Sequence, residues 1–290
     1  MGRRRLIVTA DDFGLAVPVN VAVEAAHRDG VLACASLMVA APAAADAVER
    51  ARRLPDLRVG LHVALVDARP ALAPDRIPDL VDGAGRFRAG MFRNGTRFFF
   101  LPRVRRQLAA EIRAQFEAFR ATGLELDHVN AHKHMHLHPT VLGLILRIGR
   151  DYGIPAVRLP YEPLQSARCI DPGRLASRVA WSLFLAPWTA LMRRRLRRAG
   201  VKFNRFLFGL STTGHMTEET VLRILDCLPE GVSEMYFHPA KSQAPATPGR
   251  APLPMPVARH EAEYRALVSP RVRAAILHAE IDPVGFGELV

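Results

Sequence analysis

Short apolar runs alternate with longer stretches of mixed polarity through the first third of the chain. Leu6-Ile7-Val8-Thr9-Ala10 is continuous, rich in β-branched residues and closed by Asp11-Asp12, the pattern of a strand buried on both faces. A helix over 18–29 follows, stopped by Gly30. A strand over 35–39, an alanine-rich helix over 43–53 and a strand over 57–65 complete a β, α, β, α, β order, which predicts a parallel sheet with right-handed crossovers. Residues 66–95 lapse into Pro, Gly and Asp punctuation, including Arg69-Pro70, Ala73-Pro74, Ile77-Pro78 and Asp82-Gly83. A loop this long is uncommon in a compact domain unless it serves function, so a lid or substrate-binding insertion over 66–101 is expected.

The pattern resumes with a helix over 102–122, a strand carrying Asp127 to His132, a helix over 140–152 stopped by Gly153, and a strand over 156–159. Later come a strand over 206–210, a helix capped by Thr217 with Glu218 and Glu219 in its positive first turn, and a strand over 232–237 ending at His238-Pro239. A proline-rich surface loop over 243–256 and a helix over 270–279 close the chain. Residues 172–200 break the alternation: 179–192 are apolar all round, and Arg193-Arg194-Arg195-Leu196-Arg197-Arg198 is densely basic. The stretch is too short and interrupted for the roughly 20 apolar residues that a bilayer span needs. Trp181 and Trp188 beside an arginine cluster fit an interfacial helix whose cations meet anionic headgroups, and fit equally a core helix or a dimer face.

The 290 residues suit one α/β barrel or two smaller domains, and 49% hydrophobic with 23% charged residues describe a folded chain. Cys34, Cys169 and Cys227 are an odd count at unrelated spacings in apolar sequence. Neither a disulfide framework nor a cysteine zinc site is indicated, and a reducing, cytoplasmic setting is expected. Arg3, Arg4 and Arg5 resemble a signal-peptide start, but the apolar run behind them stops at Asp11, too soon for a secretory segment. Net charge is +12, almost wholly from arginine, since the lysines are Lys133, Lys202 and Lys241. Such a charge favours nucleic acid, an anionic membrane surface or an anionic substrate, or reflects an arginine-biased genome. No nucleic-acid-binding motif accompanies it.

The densest chemistry is Asn130-Ala131-His132-Lys133-His134-Met135-His136-Leu137-His138. In an extended chain alternate side chains share a face, so His132, His134, His136 and His138 are expected on one side. Packing has no use for repeated imidazoles on one face, which makes at least one a metal ligand or proton donor. Asp11-Asp12, His62, His132 and His238 stand within or just past predicted parallel strands, whose C-terminal ends converge where active sites are built. Extended neighbours point apart, so one of Asp11 and Asp12 can bind a metal while the other serves as a base. Two histidines and a carboxylate leave positions open for water and a substrate oxygen. A divalent cation held there acidifies water and polarises a carbonyl, the two aids amide hydrolysis requires.

Val8-Thr9-Ala10-Asp11-Asp12-Phe13-Gly14, Gly60-Leu61-His62, Asn130-Ala131-His132-Lys133-His134-Met135-His136 and Phe237-His238-Pro239-Ala240 stand in this order over nearly the full length. They resemble the successive motifs of the YdjC-like carbohydrate deacetylases, whose type activity removes an acetyl group from chitooligosaccharides. Within that family the chain is most similar to the hopanoid-biosynthesis-associated branch. The likeness runs through Leu65-Val66-Asp67-Ala68-Arg69-Pro70, Arg76-Ile77-Pro78-Asp79-Leu80-Val81-Asp82 and the stretch from Phe208-Gly209-Leu210 to Gly214-His215-Met216. The resemblance implies a single α/β domain over 1–290, an irregular (β/α) barrel of mostly parallel strands. It implies one divalent cation, zinc or magnesium, held by Asp12, His62 and His132. Asp11 becomes the general base acting on water, and His238 the general acid that protonates the departing amine. His134, His136, Arg158 and His215, with His138 beside them, are candidates for orienting ligands or touching substrate. The family often carries Asp-Ser-His-His-His where this chain has Asn130-Ala131-His132-Lys133-His134.

The branch's substrate is an N-acetylglucosaminyl hopanoid, deacetylated to the glucosaminyl lipid. The implied partner is an anionic membrane surface, met peripherally from the cytoplasmic side through 172–200. Phe98-Phe99-Phe100-Leu101-Pro102-Arg103 is a second contact or ordinary core. Soluble chitooligosaccharides are the alternative substrate. Readings from other classes are a metallophosphoesterase, which calls for more carboxylates and often a second metal, and a basic membrane adaptor, which has no need of clustered Asp and His. A homodimer is compatible with the apolar stretch, and no nucleic-acid partner is expected.

Overall fold

The computed structural model describes residues 3–164, 170, 175–241 and 253–289. Cys169, the start of the 172–200 stretch and most of the 243–256 loop lie outside them. Strand β1 (Arg4–Phe13) is buried from Leu6 onward because it is paired on both edges. It runs parallel to β6 (Gly231–Phe237) over Arg4 to Ala10, to β2 (Cys34–Leu37) from Thr9, and to the short β7 (Asp282–Pro283) at Arg5 and Leu6. Outside these lie β3 (Arg58–Val63), β4 (Val129–Ala131) and, on the other side, β5 (Phe206–Phe208), giving the order β4-β3-β2-β1-β6-β5. Every pairing is parallel.

The sheet curls, and backbone bonds bridge its two ends. The Val129 N–H donates to Ala156 O (2.9 Å), Arg158 N–H to Val129 O (3.1 Å), Val157 N–H to Lys202 O (2.9 Å) and Leu207 N–H to Tyr161 O (2.8 Å). The α/β barrel of parallel strands is therefore irregular at this seam. The strand expected over 156–159 is reduced to isolated bridges, Val129 to Val157 and Ala156 to Lys202. Pro155 and Pro160 on either side lack the N–H groups a longer ladder needs.

Around the sheet run α1 (Val17–Asp29), α2 (Ala44–Arg52), α3 (Met91–Phe100), α4 (Pro102–Ala121), α5 (Pro139–Gly149), α6 (Leu175–Ala199), α7 (Glu218–Asp226), α8 (Val257–Leu267) and α9 (Pro270–His278). Pro18, Pro102, Pro139 and Pro270 each occupy a first turn, where the missing N–H costs nothing and the fixed φ suits the helix. Thr217 caps α7 as expected, its hydroxyl accepting from the Thr220 N–H. Two helices escaped the sequence pattern. The buried face of α8 carries His260 and Glu263 beside Ala266 and Leu267, so polar residues mask its apolar stripe. In α3, Gly95 and a row of phenylalanines obscure helical spacing.

Residues 66–101 pack on the body through Val66, Ala68, Ile77, Leu80, Val81 and Phe87, all buried. The buried Glu111 carboxylate of α4 accepts the N–H groups of Ala71 and Leu72 at 2.8 and 3.0 Å. Gln115 pairs with both backbone groups of Ala64, replacing the neighbour strand that the chain lacks there. Phe98 is buried while Phe99 and Phe100 are exposed, so that run divides between core and surface. On α6, Met192 and Leu196 face the core, and Leu183, Phe184 and Trp188 face out. No helix of the described residues is long and apolar enough to cross a membrane.

Candidate metal centre and active cleft

The C-terminal ends of β1, β3, β4 and β6 open into a cleft of about 710 Å³ lined by Asp11, Asp12, His62, His132, His134 and His238, among others. The sequence expectation that Asp11 and Asp12 point apart does not hold. The register between β1 and β2 slips between Ala10 and Phe13, and Asp12 sits at φ +62°. A non-glycine residue in the left-handed region costs on the order of 1–3 kcal/mol. This kink brings both carboxylates to the cleft.

Asp12, His62 and His132 each present a ligand atom within 4.8 Å of the others, and all three are buried. Asp12 Oδ1 is 3.0 Å from His132 Nδ1 and 3.4 Å from His62 Nε2, yet neither Asp12 oxygen nor His62 Nε2 makes a hydrogen bond of acceptable geometry. Buried polar atoms left so are costly, and their convergence on one another fits a bound cation better than mutual bonding. Burial pushes the Asp12 carboxyl up, but His132, His62 and His238 together outweigh it and hold the group well below the usual carboxylate range. The donor set is two imidazole nitrogens and one carboxylate, which suits a divalent metal without naming it.

Asp11 answers to a different partner. Arg158, fully buried, donates to Asp11 Oδ2 at 2.5 Å and Oδ1 at 2.9 Å, and to Glu234 Oε1 at 2.6 and 2.9 Å. Burial raises Asp11, and the Arg158 guanidinium more than reverses it, leaving the carboxyl far below its ordinary value. Burial pushes Glu234 up in spite of the same guanidinium. Tyr236 lies under Arg158, whose guanidinium carbon is 5.0 Å from the ring centroid.

The histidine run does not stay extended, which corrects the one-face expectation. β4 ends at Ala131, and the chain turns through a 3₁₀ segment (His132–Leu137) with Lys133 and His134 at φ +52° and +53°. Lys133 swings outward to pair with Asp67. His134 remains at the cleft, its Nε2 3.2 Å from the Tyr236 hydroxyl, and burial with the nearby Arg158 charge keeps it neutral. His136 is fully buried behind it, pushed down to about 3 by burial and by Arg158; its neutral ring donates from Nε2 to the Arg158 carbonyl at 3.1 Å. His138 leaves the cleft altogether, sits before the first turn of α5, and meets Phe98 and Phe99 edge-on. His215 is exposed, with Nδ1 3.3 Å from its neighbour Thr213's carbonyl, and is not among the cleft residues.

His238 is held through its backbone by α8: its N–H donates to Glu263 Oε2 at 2.5 Å, and its carbonyl accepts from His260 Nδ1 at 2.5 Å. Glu234, Tyr236 and His238 are spaced by two on β6 and its end. The alternation rule applied to the histidine run finds its true instance here and could have drawn attention to Tyr236 and Glu234. Asn130, which the sequence showed only as part of the histidine motif, contacts both His62 and Asp11.

Comparison with known proteins adds a family context. The YdjC-like protein family matches residues 5–278. A carbohydrate deacetylase of Brevibacillus brevis is 39% identical over 157 residues, 54% of this chain and 60% of that protein. One of Vibrio cholerae is 39% identical over 153 residues, 52% of this chain and 57% of its own. These matches span under two thirds of either relative's length; a third, from Thermoanaerobacter pseudethanolicus, is 26% identical over 81% of this chain and 80% of its own. Among solved structures, a protein of Enterococcus faecalis described as a candidate cellobiose-phosphate cleavage protein superposes with TM-score 0.73 at 25% identity, over 98% of both chains.

Proposed function

The chain belongs to the YdjC-like protein family, and from that membership we propose that it is a metal-dependent N-deacetylase acting on an N-acetylglucosaminyl lipid of the hopanoid type. The observation that carries this reading is one cleft holding a convergent Asp12, His62 and His132 set beside an ionised Asp11 and a histidine. The carbohydrate deacetylases among its relatives support the reaction class.

Asp12, His62 and His132 would hold the cation, zinc or magnesium, which when bound polarises the acetamide carbonyl and acidifies water. Asp11 is clamped on both oxygens by Arg158 and further held by Asn130; ionised at any ordinary pH, it accepts the proton of the attacking water. His238 delivers a proton to the departing nitrogen as the C–N bond breaks, so that acetate and a free amine leave. Neutral His134 and Tyr236, linked to Thr213 at 2.9 Å, offer hydrogen bonds to sugar hydroxyls.

A lipid-linked substrate is favoured by the walls of the cleft, which include Pro160, Pro163, Leu164, Leu185, Leu210 and Met255. The helices that supply Met91, Ser182, Leu185 and Thr189 to the cleft also carry exposed apolar side chains, Phe92 and Phe100 on α3 and Leu183, Phe184 and Trp188 on α6. A second groove lies between α4, α5 and the C-terminal end of α6, where Arg105, Arg106, Arg147, Arg150, Arg195 and Arg198 line the surface, with no carboxylate among the described lining residues. Apolar side chains beside arginines suit an anionic membrane surface. Among the described residues Asp12, His62 and His132 are the one group of this kind, which disfavours a two-metal phosphoesterase.

Acetate release is to be measured on N-acetylglucosaminyl hopanoid in vesicles beside soluble chitooligosaccharide, before and after chelation. Release from the lipid, lost with chelator and restored by a divalent cation, is the expected result. Preference for the soluble sugar moves the substrate to chitooligosaccharides; phosphoester turnover without acetate release rejects the deacetylase.

A further inference from the structure

Behind His62 lies a line of buried polar side chains that the cleft never touches. Asp127 Oδ2 is 2.9 Å from His128 Nδ1, His128 Nε2 is 3.0 Å from Ser36 Oγ, and Asn130 Nδ2 is 2.9 Å from Ser36 Oγ. The same Asn130 amide nitrogen reaches Asp11 Oδ1 at 3.2 Å, and Asn130 Oδ1 is 2.6 Å from His62 Nδ1. His128, Ser36 and Asn130 have no exposed surface. The His128 ring is wedged between Phe286, stacked at 4.5 Å, and Gly60, where any Cβ would come within 2.5 Å of the imidazole. Gly60 therefore seats the ring, which gives the glycine of Gly60-Leu61-His62 a physical purpose.

The bonds that meet at Asn130 and Asp127 have one possible direction each. Asp127 accepts the Gly287 N–H at 2.9 Å on its other oxygen and, as a carboxylate, can only accept from His128 Nδ1. The Ser36 oxygen must accept from the Asn130 amide nitrogen, and in a neutral His128 ring Nε2 is a lone pair to which the Ser36 hydroxyl donates. The two N–H bonds of the Asn130 amide go to Ser36 and Asp11. A flipped amide would set its oxygen against the Asp11 carboxylate, so the orientation is assigned by that charge. The remaining Asn130 oxygen can only accept, and His62 must carry its proton on Nδ1. In the neutral ring its Nε2, buried and without a hydrogen-bond partner, is the lone pair, and it faces Asp12 Oδ1 at 3.4 Å.

We propose that Asp127, His128, Ser36 and Asn130 are positioning residues that lock His62 in its metal-binding tautomer and, through the same Asn130 amide, orient Asp11. The Ser36, His128 and Asp127 arrangement mimics a hydrolytic triad, but with Ser36 sealed beneath the sheet it acts on no substrate. One amide thus has two separable duties: its oxygen serves metal affinity and its nitrogen serves the base. This inference rests on the reading of Asp12, His62 and His132 as a metal site.

The test compares Asn130→Ala, Asn130→Asp and Ser36→Ala with the parent protein, using zinc affinity by chelator competition, the His62 tautomer in metal-free protein by long-range ¹H–¹⁵N spectra, and kcat at saturating metal. Asn130→Ala is expected to weaken zinc binding about 10- to 100-fold, the range seen when the partner of a ligating histidine is removed. Asn130→Asp, which places there the residue the family often carries, keeps an acceptor for His62 and loses the donor to Asp11; it is expected to bind zinc within about threefold of the parent, with any loss confined to kcat. Ser36→Ala, the least disruptive change, should reduce affinity less than Asn130→Ala and keep the His62 proton on Nδ1, because Asp11 still orients the amide. Parent affinity in Asn130→Ala, equal loss in both Asn130 variants, or a His62 proton on Nε2 in the parent protein overturns the proposal. A parent protein that binds no zinc, magnesium or manganese overturns the metal site itself, which is a separate failure.

Discussion

Asp11 and Asp12 are adjacent in sequence and differently partnered, since one faces a guanidinium and the other faces two imidazoles. Asp11→Asn keeps the shape and removes the charge; acetate release is expected to fall by about 10²- to 10⁴-fold, as for loss of a general base, with metal analysis unchanged. His132→Ala should lose metal and activity together. Retained turnover in either variant refutes the role given. Arg158 carries a structural burden besides, since its removal leaves Asp11 and Glu234 as buried carboxylates facing one another. Arg158→Met is expected to destabilise the fold by about 3–5 kcal/mol in urea unfolding, the usual cost of breaking a buried ion pair. At this scale the sequence displayed the Asp and His residues of the cleft and their order along the chain. It could not show Arg158 as the partner of Asp11, since 147 residues separate them and only the barrel brings them together.

At the scale of elements, the turn after β1 is pinned by Asn20 of α1. Its side chain accepts the Gly14 N–H at 2.8 Å and donates to Ala43 O at 2.9 Å and Asp46 Oδ2 at 2.8 Å. Arg50 of α2 joins Asp46 at 2.8 Å, and that bond is the main reason the Asp46 carboxyl lies below its ordinary 3.8. A folded-state pKa below the unfolded value stabilises the protein above that ordinary value, and the contribution disappears as pH falls through the folded one. Asp46→Asn is therefore expected to lower the urea midpoint at pH 7, with the gap to the parent protein closing as pH falls below about 4. A gap constant with pH would show that charge plays no part in the contact. Strand and helix order was legible here from apolar runs and stops. The histidine run misled because alternation presumes an extended backbone, whereas two consecutive left-handed residues, Lys133 and His134, scatter the four rings.

At the scale of the whole molecule, α6 carries exposed apolar side chains beside the cleft and, at its C-terminal end, Arg195 and Arg198 of the arginine groove, whose other arginines stand on α4 and at the end of α5. Replacing Arg105, Arg106, Arg195 and Arg198 together by glutamine is expected to weaken sedimentation with anionic vesicles, and added salt should weaken the parent protein's binding in the same direction. Unchanged partition removes the membrane surface as a partner. Neutral vesicles serve as the control, since apolar contact alone would bind both kinds. By itself the sequence determined the parallel α/β pattern, because burial on both faces leaves continuous apolar runs, and it displayed the Asp and His residues at strand ends. The tertiary structure decided which of them meet. The kink at Asp12, the turn at Lys133 and His134, and the buried line through Asn130 depend on backbone geometry and contacts between distant strands, and neither is encoded in local periodicity.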